Sequence, residues 1–380
     1  MVAKRLNKQN NFLKMKRKII PQIEPFIGKE ELKEVSETIK NKWISGGFKL
    51  KDFQGKIAKL CGVKHAIGVC NGTQALYVGL KILGIGPGDE VIVPDFTFIA
   101  SANSVFWTGA TPVFVDIDKK TFNIDPVKIE EAITQKTKAI MPVHIYGQSA
   151  DMGKIMEIAK KHKLFVIEDA AQGIKVNFKG KPVGGFGDVG CMSFYADKVI
   201  TTGEGGMVLT NDDELAKKAV ILLNQGRSGR GWYIHDYMGY NFRLTDLQAA
   251  VGVAQIKKLP LIIKKRKKIE KLYKNYLAGV KGVEFPFVDP RGDKIPYRIT
   301  ILVEKPQELL DFLDKGGIKA SRSFYPLHLQ PCYNIKGNFP NSVFAYERIL
   351  RLPSGTGLTE KEICYVCDKI KLFFKNYDRK

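Results

Sequence analysis

A carboxylate at the end of an apolar strand, a serine and a lysine five residues beyond it are the residues of this sequence best suited to chemistry. They fall in one stretch, read as IEDAAQ, then GDVGCMSFYADK, then ITTGEGGMVLT. Asp169 ends the apolar run LFVIED, and Ser193 stands five residues before Lys198. A lysine amine can form a Schiff base with an aldehyde cofactor, and a carboxylate can keep a pyridinium nitrogen protonated so that the ring accepts electrons. That pairing suggests a pyridoxal phosphate site. Gln172 follows at a distance that suits a hydrogen bond to the ring hydroxyl. The competing reading of Lys198 is a structural ion-pair partner, which explains neither Ser193 nor the glycines at 203, 205 and 206.

Other pieces fit the same site. Asn71-Gly72-Thr73 joins an apolar strand to a helix, so the amides of Gly72 and Thr73 and the Thr73 hydroxyl can cradle a phosphate; a plain helix cap is the alternative. Phe98, in PDFTF after another strand, can stack on a flat ring or fill a core. Asn241 and Arg243 in GYNFRLTD, and Tyr325 and His328 in FYPLH, are polar side chains in apolar loops. No metal is expected. The five histidines and six cysteines lack ligand spacing. The one C-x-x-C, Cys364 and Cys367, sits where Ile363, Cys367 and Ile370 share a helix face, which favours core packing.

The elements that must position these residues alternate. HAIGVC, EVIVP, TPVFVDI, KAIMPVHI and LFVIED read as short apolar strands, with helical segments between them. Such spacing implies right-handed crossovers and a mainly parallel sheet covered on both faces. GCMSFY and GGMVLT break the rhythm, since no helix separates them, and antiparallel pairing is open to them. Ahead of the first strand, Lys29 to Lys42 is expected to form an amphipathic helix through Leu32, Val35 and Ile39. A long helix is expected from about Thr245 until Pro260 kinks or breaks it. Beyond it come a strand at YRITILVE, a helix, a strand at IKASRSF and a last helix opened by a Thr359/Glu362 capping box. The expected division is a basic tail over 1–19, a large domain over 20–258 and a smaller α+β domain over 259–380.

The composition bounds the partners. A formal charge of +22 invites nucleic acid, yet the lysines and arginines are scattered over nearly every helix. The run Lys264–Lys268 reads as a solvated helix face. No stretch is apolar for the roughly 18 residues a membrane span needs, and the basic start lacks the apolar core of a secretory signal. A cytoplasmic protein without nucleic-acid or membrane partners is expected. A dinucleotide-binding dehydrogenase would want G-x-G-x-x-G after the first strand, where this chain has CNGTQA.

From about Ile20 to Phe374 the chain resembles the sugar aminotransferases of the DegT/DnrJ/EryC1/StrS family. The resemblance rests on NGTQAL, GIGPGDEVIVPDFTF, ATPVFVDID, PVHIYGQ, VIEDAAQ, SFYADK, TGEGGMVLTND and GYNFRLTDLQAA, met in that order. It implies fold type I, the aspartate aminotransferase-like α/β fold, with pyridoxal 5′-phosphate as cofactor. It implies that Lys198 forms the Schiff base, Asp169 meets the pyridine nitrogen, Gln172 lies beside the ring hydroxyl and Phe98 stacks. Gly72, Thr73 and Ser193 match phosphate ligands, and Asn241 matches a residue supplied from the neighbouring subunit, so a homodimer with shared sites follows. Tyr325 and His328 fall in a loop that in relatives lies near the nucleotide-sugar, and Arg243 is expected as a third substrate-binding residue. ITTGEGG resembles the branch, perosamine synthases above all, that moves the amino group of L-glutamate to C4 of a nucleotide-linked 4-keto-6-deoxyhexose. The alternatives are the C3-aminating branch, usually closer to NLGALGDGG, and a non-catalytic pyridoxal-binding regulator. Asp197 stands before the lysine where the family more usually has a neutral residue.

Overall fold

The computed structural model describes residues 19–229 and 233–377. The expected basic tail therefore lies, apart from Ile19, outside the described residues. Two helices open the chain, α1 (Lys29–Lys40) and α2 (Phe48–Cys61). The alternating part follows as β1 (His65–Val69), α3 (Gly72–Ile82), β2 (Glu90–Pro94), α4 (Ala100–Trp107), β3 (Thr111–Val115), α5 (Pro126–Glu131), β4 (Thr137–Ile140), α6 (Met152–His162) and β5 (Phe165–Asp169). A hairpin of β6 (Asn177–Phe178) and β7 (Lys181–Pro182) leads to β8 (Val189–Ser193) and β9 (Gly206–Thr210), then to α7 (Asp213–Leu223), a helix absent from the expected elements.

Seven of these strands form one sheet in the order β1-β9-β8-β5-β4-β2-β3. β9 runs antiparallel to both neighbours, and the other pairs are parallel. The two strands without a helix between them thus pair antiparallel, and the rest follow the crossover rhythm. Val91, Val93, Ile140, Ile167, Val189 and Val208 are fully buried. Both faces of the sheet are covered, which is why its strands read as continuous apolar runs rather than alternating ones.

Next comes α8 (Asp246–Tyr276), capped by a reciprocal Thr245/Gln248 box. Of the kink or break expected at Pro260, the break does not occur: the helix continues through the proline. Proline inside a helix costs about 3 kcal/mol, but here both flanks are anchored. Leu259 and Ile262 pack in a core cluster of the large sheet, and Ile269 and Tyr273 pack in the core of the smaller unit. The division expected at 258/259 falls inside this shared helix. The smaller unit comprises β10 (Ile299–Leu302), α9 (Pro306–Lys315), β11 (Ser321–Arg322), α10 (Pro340–Arg348), β12 (Ile349–Leu352) and α11 (Glu360–Tyr377). Its antiparallel sheet runs β10-β12-β11, so the central strand is one the sequence pattern did not suggest, and the strand expected over IKASRSF shrinks to two residues. The Thr359/Glu362 box is present, and Cys367 is buried beside Ile363 and Ile370.

Three expectations need correction. Leu32 and Ile39 are 69% and 58% exposed; α1 instead docks through Glu31, which accepts bonds from the Gly28 amide, Gln255 and Lys258. Ile20, assigned to the large domain, pairs with the small unit through Gly317 and Lys319. Within the basic run, Arg266 is 4% exposed and donates to the carbonyls of Pro296 and Tyr297, so that face is not wholly solvated. Burial, with the Arg298 charge nearby, pulls the Arg266 guanidinium down to about 10.

Candidate active site

The carboxyl ends of β1, β2, β5 and β8 all open onto one cavity of about 750 Å³. That is the side of a parallel sheet where ligands bind, because the following helices present their N-termini there. Gly72, Thr73, Phe98, Asp169, Gln172, Ser193 and Lys198 line it together.

At the end of β1 the Asn71 side chain caps α3 by accepting from the Gln74 amide at 2.9 Å. The first-turn amides of a helix have no intrahelical acceptor, so those of Gly72 and Thr73 remain for an anion. Ser193, at the end of β8, closes this corner. A Cβ on Gly72 would stand 2.7 Å from the Ser193 Cβ, so glycine is what lets the serine reach the helix start.

Asp169 is 5% exposed and holds its carboxylate with two donors, the Ser101 hydroxyl at 2.8 Å and the Ala171 amide at 3.1 Å. Its neighbour Glu168 faces away, accepting from the amides of Gly184, Phe186 and Gly187 and contacting His144 at 3.1 Å. In register with Asp169, Cys191 has its thiol pushed well up by burial and by these two carboxylates, so it stays neutral. Gln172 accepts the Tyr146 amide at 2.8 Å, and that residue adopts a left-handed backbone, φ 53°, which aims the amide at it. With the carbonyl occupied, the side-chain amide nitrogen is the donor left to the cavity.

Lys198 sits in the turn after β8, its amide bonded to the Tyr195 carbonyl. Among the described residues its ammonium forms no ion pair; it lies 4.7 Å from the centre of the Tyr297 ring. The preceding Asp197 accepts from the Tyr297 hydroxyl at 3.0 Å and pairs with buried Arg298. The atypical acid is thereby neutralised, and the lysine turn is tied to the start of the small sheet.

Phe98 is 57% exposed and near the Phe324 ring, at 6.3 Å. Four expected residues do not line the cavity. Asn241 and Arg243 are exposed, and Arg243 donates to Asn224. Tyr325 packs edge-on to Tyr346. His328 is buried, with its backbone amide and ring both bonded to Asp95 at 2.7 Å. Conversely, sequence reasoning missed Tyr77, Trp107, Tyr240 and Phe242, an aromatic patch in which Tyr77 and Tyr240 share a 2.7 Å hydroxyl contact. Burial and that contact raise the Tyr77 hydroxyl. It also missed Tyr297, Phe324 and Arg351, which form the wall facing the strand ends. Tyr240 and Phe242 carried a signal, since they alternate with Asn241 and Arg243; the others stand alone in sequence.

A helix start with free amides beside a serine, a held carboxylate, an amide donor and an unpaired lysine match, group for group, a phosphate, a pyridine nitrogen, a ring hydroxyl and an aldehyde. The model of the DegT/DnrJ/EryC1/StrS aminotransferase family matches residues 25–371. The chain belongs to this family. It is an aminotransferase that depends on pyridoxal phosphate, as its family does, and related structures are known in pyridoxal and pyridoxamine phosphate forms. It is similar to the GDP-perosamine synthase of Caulobacter vibrioides, with 42% identity over 89% of this chain and 94% of that protein. It is also similar to the UDP-N-acetyl-3-dehydro-alpha-D-glucosamine 3-aminotransferase of Acidithiobacillus ferrooxidans, with 40% identity over 84% of this chain and 86% of that one. The crystal structure of DesV from S. venezuelae superposes with a TM-score of 0.86 at 36% identity, covering 90% of this chain and 94% of that one. The aspartate aminotransferase-like α/β architecture expected from the motifs is thus the one found. No helix among the described residues is long and apolar enough to cross a membrane.

Proposed function

We propose that this aminotransferase moves the amino group of L-glutamate to C4 of a nucleotide-linked 4-keto-6-deoxyhexose, in two half-reactions at one site. The observation that carries the reaction is Lys198, unpaired and facing the same cavity as Asp169. When bound there, pyridoxal phosphate supplies an aldehyde and an electron-accepting ring. Lys198 binds that aldehyde through Nζ, and once displaced by the donor it takes and returns the proton at Nζ as general base and acid. Asp169 keeps a proton on the ring nitrogen, with Ser101 and the Ala171 amide fixing its orientation. Gln172 donates toward the ring hydroxyl, and Gly72, Thr73 and Ser193 hold the phosphate while Phe98 covers the ring.

Relatives named GDP-perosamine synthase and 3-aminotransferase stand at similar identity, so the preference for C4 rests on the ITTGEGG loop behind Lys198. Incubating the enzyme with glutamate and a panel of nucleotide-linked 4-keto and 3-keto sugars, with products read by mass, tests it. Reaction with 3-keto substrates alone would overturn the C4 assignment.

The enzyme works as a homodimer with shared sites in this reading. Tyr240 and Phe242 line their own chain's cavity, so the alternating Asn241 and Arg243 are turned outward, where a neighbouring subunit's site can use them. Leu32, Ile39, Trp43, Ile44 and Phe48, close together in sequence, are each more than half exposed, apolar groups that a second copy can cover. Tyr325 and His328 act on the sugar side, His328 by bracing its loop on Asp95. A cytoplasmic setting suits the six free cysteines. Sedimentation of the holoenzyme checks the dimer, and a monomer with full activity would exclude shared sites.

A further inference from the structure

Besides Lys198, a second cation of the cavity wall, Arg351, lacks an acceptor among the described residues. Arg351 is on β12, the central strand of the small sheet, with its backbone in register with Thr300 and Ser321. Strand alternation sends Leu350 and Leu352 into the small unit's core, while Ile349 joins the aromatic cluster of Phe96, Tyr146 and Tyr297. Arg351 shares the face of Ile349 and reaches the cavity. Among the described residues its guanidinium forms no ion pair and donates no hydrogen bond, and its Nε is buried without an acceptor. Its neighbour is the Phe324 ring, 5.3 Å from Cζ. Arg266, Arg298, Arg322 and Arg291 also approach aromatic rings or core, and each has protein acceptors.

A guanidinium nitrogen buried without an acceptor is costly, and the planar fork of the group matches a carboxylate or phosphate with two parallel bonds. Two anions enter the proposed reaction: the carboxylate of the amino donor and the diphosphate of the sugar nucleotide. Place decides between them. Arg351 lines the wall that also carries Tyr297, the ring against which Lys198 lies, so a donor held there meets the same wall as the reacting amine. A nucleotide, far bulkier than an amino acid, needs the more open part of the cavity, to which Phe98 and Trp107, both lining it and more than half exposed, belong. In an amino acid, by contrast, the carboxylate is one bond from the carbon that gives up its proton.

We infer that Arg351 binds the carboxylate of the amino-acid donor and so selects for it over simple amines. This rests on the donor half-reaction proposed above. The experiment follows loss of the yellow absorbance of the holoenzyme on titration with L-glutamate, for wild type, Arg351→Met and Arg351→Lys. Arg351→Met should raise the half-saturating glutamate concentration roughly 10- to 100-fold, the loss expected when one charged partner is removed. Arg351→Lys should recover part of it, and the KM for the keto sugar at saturating donor should stay within about threefold. Glutarate, a dicarboxylate without an amine, should compete with glutamate in wild type and lose that effect in Arg351→Met. If Arg351→Met fails to hold the cofactor, wild type alone decides: glutarate must compete in the donor half-reaction, and inorganic pyrophosphate must not. A raised KM for the sugar with unchanged glutamate dependence overturns the inference in favour of the diphosphate, and no change in either overturns it outright. If wild type ignores glutamate but responds to another amino acid, the donor named above falls, and the same titration with that amino acid still decides the carboxylate contact.

Discussion

The cavity has two walls built on different plans. On the wall of strand ends the groups that would meet the ring and the helix start are held by the protein, Asp169 by Ser101 and Ala171, Gln172 by Tyr146 and Asn71 by Gln74, and Lys198 alone among them is left unpaired. The wall of the small sheet offers ring faces and an unspent guanidinium, through Tyr297, Phe324 and Arg351. A cofactor that stays in place is served by fixed partners, since no ordering entropy is left to pay when it binds. A wall that meets two dissimilar substrates in turn is better left with broad aromatic surface that either can use and a charge kept for one of them. Substitutions on the first wall should therefore damage the chemistry or the hold on the cofactor, and loss of the charge on the second should shift substrate preference.

The largest effect tests the first wall. Lys198→Ala should lower turnover by at least about 10⁴-fold, because one side chain holds the aldehyde and moves the proton. Borohydride reduction followed by peptide mass should place the cofactor on Lys198 in wild type and nowhere in the variant. Full activity would end the assignment. Asp169→Asn should come next, with a loss in kcat of roughly 10²- to 10³-fold, the size seen when one preorganised charge partner of a reacting group is removed. The KM for the sugar should hardly move; if KM rises and kcat stays, the carboxylate belongs to substrate binding and the contrast between the walls fails.

Gly72→Ala should act more weakly and on binding alone. The new Cβ would meet Ser193 at 2.7 Å and push it from the helix start, a strain of about 1–3 kcal/mol. Cofactor affinity, read by fluorescence titration of the apo protein, should fall roughly 10-fold while kcat at saturating cofactor stays near wild type. Affinity equal to wild type would mean that Ser193 and the helix start do not share a ligand.

The two walls also differ in how far the sequence discloses them. Strand ends that meet one ligand leave short motifs, since consecutive residues at each βα turn serve the site; VIEDAAQ, SFYADK and NGTQAL carry Asp169, Lys198 and Gly72 in this way. The parallel sheet was legible for a related reason, because strands buried on both faces become apolar runs of fixed length. The second wall leaves no such trace. Tyr297 lies just ahead of β10, Phe324 in a loop and Arg351 on a four-residue strand, so three isolated positions meet only through the tertiary fold. β12 itself follows α10 with no turn residue between them, and its Ile-Leu-Arg-Leu shows neither strict alternation nor an apolar run. At Pro260 the helix does not end for the opposite reason: a strong local rule was outweighed by two cores gripping one helix.

The smallest effect sits where the walls meet. The Tyr297 ring lies under the Lys198 ammonium at 4.7 Å and under Arg298 at 4.5 Å, and its hydroxyl donates to Asp197. Arg266 holds the Tyr297 carbonyl from behind, so the ring is a fixed surface rather than a swinging one. Tyr297→Phe keeps the ring and removes only the bond to Asp197, an acid that Arg298 already neutralises. It should change kcat by less than about threefold, since a bond at a paired charge is worth around 1 kcal/mol or less. Tyr297→Leu removes the ring face, worth roughly 0.5–2 kcal/mol to a partly desolvated cation. It should slow the glutamate half-reaction by about 10-fold, with the half-saturating glutamate concentration little changed. That pattern is the reverse of the one expected for Arg351, although both residues stand on the same wall. If Tyr297→Leu alters glutamate binding and spares the rate, Tyr297 belongs with the substrate surface, and the lysine owes its placement to the strand ends alone.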